Sequence, residues 1–185
     1  SLEISREMGD RQGEANSLNN LGNAYHSLGQ YQQAIDFHQQ SLEISREMGD
    51  RQGEANSLNN LGNAYHSLGQ YQQAIDFHQQ SLEISREMGD RQGEANSLGS
   101  LGNAYGSLGQ YQQVLDFYQQ SLDIAREIGD RQGEAISLLN MGIAAAEIGD
   151  EPEAQSDYEA ARAIFCELGL QHSVEKCDKA IRALT

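Results

Sequence analysis

Residues 1–40 and 41–80 are identical at every position, and residues 81–98 carry the same copy onward. A chain that repeats every 40 residues is constrained to fold as units stacked on their own copies, because so short a unit buries its apolar face only against a neighbour. The third unit then drifts: Asn59 becomes Gly99, His66 becomes Gly106, Ala74 becomes Val114 and His78 becomes Tyr118. The fourth, from about Arg131, diverges further. Identity this complete reads as recent tandem duplication, so recurrence of a residue here says nothing about its importance.

Each unit reads as two helices. Gly49 suits the left-handed position that ends a helix, and Asp50 suits the cap that opens the next. Helix A is expected over roughly Arg51 to Leu68 and helix B over roughly Tyr71 to Met88, with a break at Gly69-Gln70. Leu58, Leu61, Tyr65 and Leu68 fall on one face of helix A. Ala74, Phe77, Ser81, Ile84 and Met88 follow the same rhythm in helix B, with Ile75 and Leu82 widening the stripe. No stretch alternates with period two, which argues against strands and a propeller. The fold class expected is all-α, and the units predicted are 11–50, 51–90, 91–130 and 131–170. Half a helix B at 1–10 precedes them and a terminal helix at 171–185 follows, all in one solenoid. In the half helix, Leu2, Ile4 and Met8 are expected to lack their usual helix A cover, and Val174, Cys177, Ile181 and Leu184 share one face of the terminal helix.

The pattern Leu18-x2-Leu21-Gly22-x2-Tyr25, then Ala34-x3-His38, then Arg46, resembles the tetratricopeptide repeat. The second unit repeats it, the third has Leu98, Leu101, Gly102, Tyr105, Val114 and Tyr118, and the fourth has Leu138, Met141, Gly142, Ala145, Ala154 and Tyr158. Arg46, Arg86 and Arg126 stand where that family has a helix-stopping proline, so helix B should run about one turn further. This long form is similar to repeats of kinesin light chains, Pins-type adaptors and bacterial regulatory proteins. The resemblance implies a right-handed α-solenoid of antiparallel helix pairs. Glycine inside helix A costs about 1 kcal/mol against alanine, and close approach of helix B is the expected compensation.

The resemblance also implies that ligands lie in a concave groove lined by the A helices. The positions carried over are Asn16, Asn19, Asn23 and His26 in the first unit and Asn56, Asn59, Asn63 and His66 in the second. Their spacings independently put them on one helical face. A carboxamide both donates and accepts, so such a ladder suits the backbone of an extended peptide; a solvated face copied by duplication is the competing reading. In the third unit Asn96 and Asn103 remain while Gly99 and Gly106 open space. In the fourth the matching residues are Ile136, Leu139, Ile143 and Ala146, and in the terminal helix Lys176 and Lys179, the two lysines of the chain. A ligand with an apolar anchor near a carboxylate would match that order. Cover of the apolar patch by the terminal helix is the alternative.

Other chemistry finds little support. His26 and His66 stand one repeat apart, roughly 10 Å by ordinary helix spacing, too far to share an ion held at about 2 Å. His38 and His78 read as half-buried spacers in an aromatic position. Cys166 and Cys177 read as free thiols, with a disulfide as the alternative. No phosphate-binding glycine loop, catalytic carboxylate pair or zinc spacing occurs, so neither an enzyme nor a cofactor is expected. The net charge of -16, from 28 acidic and 12 basic residues, argues against nucleic acid and anionic membrane partners. No apolar run approaches the ~18 residues of a membrane span, and no signal segment opens the chain. Two cysteines make no disulfide framework, and a cytoplasmic setting is expected. The start at Ser1, without methionine, is expected of a fragment. The function expected is a protein-interaction module binding an extended peptide, within a larger scaffold or regulatory protein. The alternative is a structural array that self-associates head to tail through its ends.

Overall fold

The computed structural model describes residues 2–184, and among them lie ten helices and no strand. Two compact units divide the chain, Ser1–Gly93 and Glu94–Thr185. The first holds α1 (Leu2–Met8), α2 (Arg11–Ser27), α3 (Tyr31–Met48), α4 (Arg51–Ser67) and α5 (Tyr71–Met88). Helix α6 (Arg91–Ser107) begins there and continues in the second unit. That unit then holds α7 (Tyr111–Ile128), α8 (Arg131–Glu147), α9 (Glu151–Glu167) and α10 (Gln171–Ala183). Consecutive helices pack on one another from α1 to α5 in the first unit and from α7 to α10 in the second.

The punctuation is local chemistry. Gly49 takes φ 69°, a left-handed conformation that a side chain disfavours, and so stops α3. Asp50 then accepts a hydrogen bond from the Gly53 amide at 3.0 Å and caps α4. Where the family pattern has proline, Arg46 lets α3 continue to Met48. It also does something the sequence did not announce: its Nε donates to Glu54 at 2.8 Å, and Arg51 Nη1 donates to the same carboxylate at 2.8 Å. Glu54 is buried at 8% exposure, so the two guanidinium groups supply the partners that a buried carboxylate requires.

In the first unit, Ala34, Ile35, Leu58, Leu61 and Ala64 form the core, with Tyr25, Tyr65 and Phe77 at its margin. Tyr65 stacks on Phe77 with ring centroids 5.2 Å apart. The serines of helix B face inward and are satisfied: Ser81 donates to the Ala55 carbonyl at 3.0 Å, and Ser57 to Ser41 at 3.1 Å. In the second unit, Tyr118, Leu122, Leu138, Phe165, Val174 and Cys177 share one core.

The glycine inside helix A has a definite cause. A Cβ on Gly62 would stand 2.5 Å from His78 Cε1, so the imidazole of α5 occupies the space a side chain would need. Here the expectation of half-buried histidine spacers is corrected: His38 and His78 are each 1% exposed. The missing glycine side chain lets the ring sink fully between the two helices. The same device recurs with a larger ring at Gly102, whose Cβ would meet Tyr118.

Candidate functional site

Helices α2 and α4 carry the asparagine ladder of the first unit. Asn16, Asn23, Asn56 and Asn63 are exposed on the face away from Leu18 and Leu58. Asn19 and Asn59 differ from them. Each is half-buried and turns to the imidazole below it: Nδ1 of His38 lies 2.9 Å from Asn19 Oδ1, and Nδ1 of His78 lies 3.0 Å from Asn59 Oδ1. A carboxamide oxygen only accepts, so Nδ1 is the protonated nitrogen in both rings. Asn19 Oδ1 accepts a second bond from Asn60 Nδ2 at 2.8 Å. Burial, reinforced by His26 or His66 respectively, holds both buried histidines well below the ordinary range, at a pKa of about 4. They are neutral at physiological pH.

His26 and His66 sit half-buried on the ladder face, each ring tilted against the tyrosine that opens the next helix, Tyr31 or Tyr71, at 5.2 Å. His26 Nε2 also meets Ser67 Oγ at 3.0 Å. A cavity of about 220 Å³ opens here between α2, α3 and α4, walled by Asn23, His26, Asn60, Asn63 and His66. Every wall group named is a carboxamide or an imidazole. The cavity therefore offers hydrogen bonds rather than an apolar seat.

The second unit has its own version of this cavity, about 280 Å³ between α6, α7 and α8. The changes that create it come in touching pairs. Asn59 bonds to His78 in the first unit; at the same two positions Gly99 now faces Tyr118, with a built Cβ 3.7 Å from the ring. The His66–Ala74 pair is replaced by Gly106 and Val114, and a Cβ on Gly106 would lie 3.6 Å from Val114 Cγ2. Three imidazoles line the first-unit cavity, His26, His38 and His66, and Gly106, Tyr118 and Ala146 stand at the corresponding positions here. Tyr118 donates its hydroxyl to Asn103 Oδ1 at 2.7 Å, and burial pushes its pKa above the ordinary tyrosine value. Asn140, Ile143 and Glu147 complete the far wall.

On α8, Ile136 is 42% exposed and Ile143 44%, with Leu139 half-buried between them. Leu139 packs against two hydrophobic clusters of this unit, the smaller of which also has Ala180 and Ile181 of α10 and the following Leu184 packed against it. Lys176 and Lys179 are exposed on α10, opposite the buried Val174 and Cys177. Asn96 and Asn103 are exposed on α6. Cys166 is exposed, Cys177 is buried, and both are free thiols. Asp157 takes the place that Phe37, Phe77 and Phe117 hold in the other units. It is 6% exposed, its Oδ2 has no hydrogen-bond partner, and burial with Glu153 nearby raises its pKa to about 6.

Asn60, Asn140, Tyr118 and Glu147 were not among the candidates read from the sequence. A signal for Tyr118 existed: Asn59 and His78 change together in the third unit, as touching residues do. Nothing in the sequence marked Asn60, because it is adjacent to a ladder position rather than on it.

Comparison with known proteins accords with this geometry. A family model described as tetratricopeptide repeat matches residues 1–47, 13–87, 53–127 and 93–167. Among curated proteins nothing matches the sequence. Among solved structures, the chain is similar to a signal transduction ATPase with numerous domains and a tetratricopeptide repeat sensor from Pyrococcus horikoshii. The TM-score is 0.88 at 19% identity, over 97% of this chain and 28% of that one. It is similar to aspartyl phosphate phosphatase F from Bacillus subtilis, with a TM-score of 0.84 at 16% identity, over 94% of this chain and 49% of that one. It is also similar to the nearly identical TPR-like repeats of a kinesin light chain-type protein from Podosopora anserina. There the TM-score is 0.72 at 21% identity, over 91% of this chain and 93% of that one. At these identities the likeness is one of fold. Among the described residues no helix is long and apolar enough to cross a membrane.

Proposed function

The chain belongs to the tetratricopeptide repeat family, and we propose from this that it binds an extended segment of a partner protein along its A-helix faces. In the second unit the partner's peptide lies against the exposed asparagines of α6 and the apolar stripe of α8; the exposed asparagines of α2 and α4 give the first unit a polar face of its own. The module works in the cytoplasm within a larger scaffold or regulatory protein. Repeats of this family are generally protein-interaction modules and non-catalytic scaffolds. The observation that carries the reading is on α8. Ile136 and Ile143 stand exposed where the matching positions of α2 and α4 are asparagine, so this A helix exposes apolar side chains where those expose polar ones. Lys176 and Lys179 take matching positions on α10 and suit a carboxylate of the same ligand.

A labelled peptide, Gly-Ser-Lys-Leu-Gly-Ser-Leu-Asp-Asp, tests this by titration. Leu139→Ala and Lys179→Glu are each expected to weaken it several-fold, and binding is expected to weaken as salt rises, since exposed charge pairs are screened. Unchanged affinity in both variants contradicts the proposed polarity.

A second reading has its own observation. Helices α2 and α4 have the same sequence, yet Ala64 is buried and Ala24 exposed, and Leu61 is buried while Leu21 is half-buried. Ile4 and Met8 of α1 are 55% and 76% exposed. A second copy stacking head to tail would cover this face, and such contacts propagate unless the rotation closes a ring. Sedimentation at rising concentration is expected to show a growing mass on this reading; a constant monomer mass removes it.

A further inference from the structure

The cavity between α6, α7 and α8 differs from its counterpart in the first unit in a way that selects a ligand. Three ring or carboxamide positions of the first unit change here: Gly106 replaces His26, Ile143 replaces Asn63 and the larger ring of Tyr118 replaces His38, while Val114 stands where the first unit has Ala34. One position gains a charge, Glu147 in place of Ser67. The volume grows from about 220 to about 280 Å³ while the wall becomes aliphatic at Val114 and Ile143. Space without side chains, aliphatic walls and a polar floor make a seat for one aliphatic side chain. Asn103 and Asn140 stand on two sides of that seat, where carboxamides can pair with the peptide groups flanking the inserted residue. Glu147 closes the rim beside Tyr111, whose pKa is raised first by burial and then by that carboxylate. The chain as a whole carries a net charge of -16.

We infer that this cavity is a specificity pocket for an aliphatic residue next to a lysine or arginine in the partner's peptide, with the aliphatic side chain on Gly106 and the cation on Glu147. The inference rests on the peptide-binding reading above and adds to it which residues the peptide must contain. An aliphatic side chain fits by volume, and the neighbouring cation fits by charge. The corresponding cavity of the first unit does neither, because imidazoles occupy it and no carboxylate lines it.

The test uses the same labelled peptide and two changes in it, Leu to Ala at the position after lysine and Lys to Gln. In the protein, Gly106→His restores the ring that the first two units carry. A Cβ there meets only Val114 Cγ2, at an ordinary 3.6 Å, so the helix accommodates it. Gly106→His is expected to weaken the parent peptide about tenfold, the scale of one aliphatic side chain kept from burial, and to leave the Leu-to-Ala peptide unaffected. Glu147→Gln is expected to weaken the parent peptide about threefold and to abolish its preference over the Lys-to-Gln peptide. If Leu139→Ala and Lys179→Glu weaken binding while Gly106→His and Glu147→Gln do not, the pocket is overturned and the groove reading stands. If the parent peptide binds none of these proteins, wild type included, both fall together. A thermal melt of Gly106→His checks its folding, and Glu147→Gln, an exposed change, decides the case independently.

Discussion

Replacing Leu61 by alanine is expected to destabilise the first unit by about 2–5 kcal/mol, the usual cost of truncating a leucine in a closed core. Leu61 is fully buried at 0% exposure and packs among Ala34, Ile35, Leu58 and Ala64. The chain carries its own control. Leu21 sits in the same 17-residue helix sequence but is only half-buried, because just the short α1 precedes α2 where the full α3 precedes α4. Leu21→Ala is therefore expected to cost about 1–2 kcal/mol, in proportion to the area it hides. Asn63→Ala, exposed on the opposite face of α4, is expected to stay within roughly 0.5 kcal/mol. Denaturant melts of the three variants check the order. Equal losses at Leu61 and Asn63 would mean that the faces of α4 are wrongly assigned, and the proposed groove with them.

The second large effect is acid lability centred on His38 and His78. In the unfolded chain each imidazole takes its proton near the ordinary 6.5; in the folded chain each does so only near about 4. Between those values the unfolded state holds more protons, so stability is complete above pH 6.5 and falls as the pH drops toward 4. The loss reaches up to about 3 kcal/mol per histidine across that window, at about 1.4 kcal/mol per pKa unit. Asp157 acts in the opposite sense in the second unit. Its folded pKa is raised to about 6 from 3.8, so acidification through that range stabilises the fold there. The lowered Glu14 and Glu134 carboxyls contribute losses only further down, below their ordinary 4.5. Hydrogen exchange at pH 5 against pH 7 is thus expected to show lost protection in α2–α5 and not in α8–α9. Transplanting the third-unit pair, His78→Tyr with Asn59→Gly, is expected to remove about half of the acid loss. An unaltered acid profile in that variant would mean that the buried imidazoles do not set it.

The fold was legible because its punctuation is written in single residues. Gly49 and Asp50 locate a helix end and a helix start; α4 ends at Ser67 rather than Leu68 and α5 at Met88 as expected, while α1 ends at Met8 and α10 at Ala183, short of the expected 10 and 185. Gly62 pointed to a close helix approach, and His78 is the group that approaches. What escaped the reading depends on three-dimensional pairing. A histidine in an aromatic position looks half-buried until the glycine opposite it is seen to have made room. Asn19 and Asn16 look alike in a helical wheel, yet only Asn19 lies over an imidazole and is spoken for by it. The Arg46–Glu54 bond joins residues eight apart across a turn, a separation that no single-helix rule considers. Identical sequences in α2 and α4 differ in burial, a difference set by what precedes each helix, so no local reading of either could supply it.

The central claim, that the A-helix faces receive a peptide, is tested most directly by watching isoleucine methyl groups in NMR spectra while the labelled peptide is added. Ile136 and Ile143 lie exposed on the proposed face, Ile124 and Ile164 are buried, and Ile128 is exposed at the end of helix α7. Saturable shifts are expected at Ile136 and Ile143, with Ile128, Ile124 and Ile164 unmoved. Shifts confined to Ile128, or no saturable shift at Ile136 and Ile143 under conditions where the peptide binds, would place the contact elsewhere and contradict the claim.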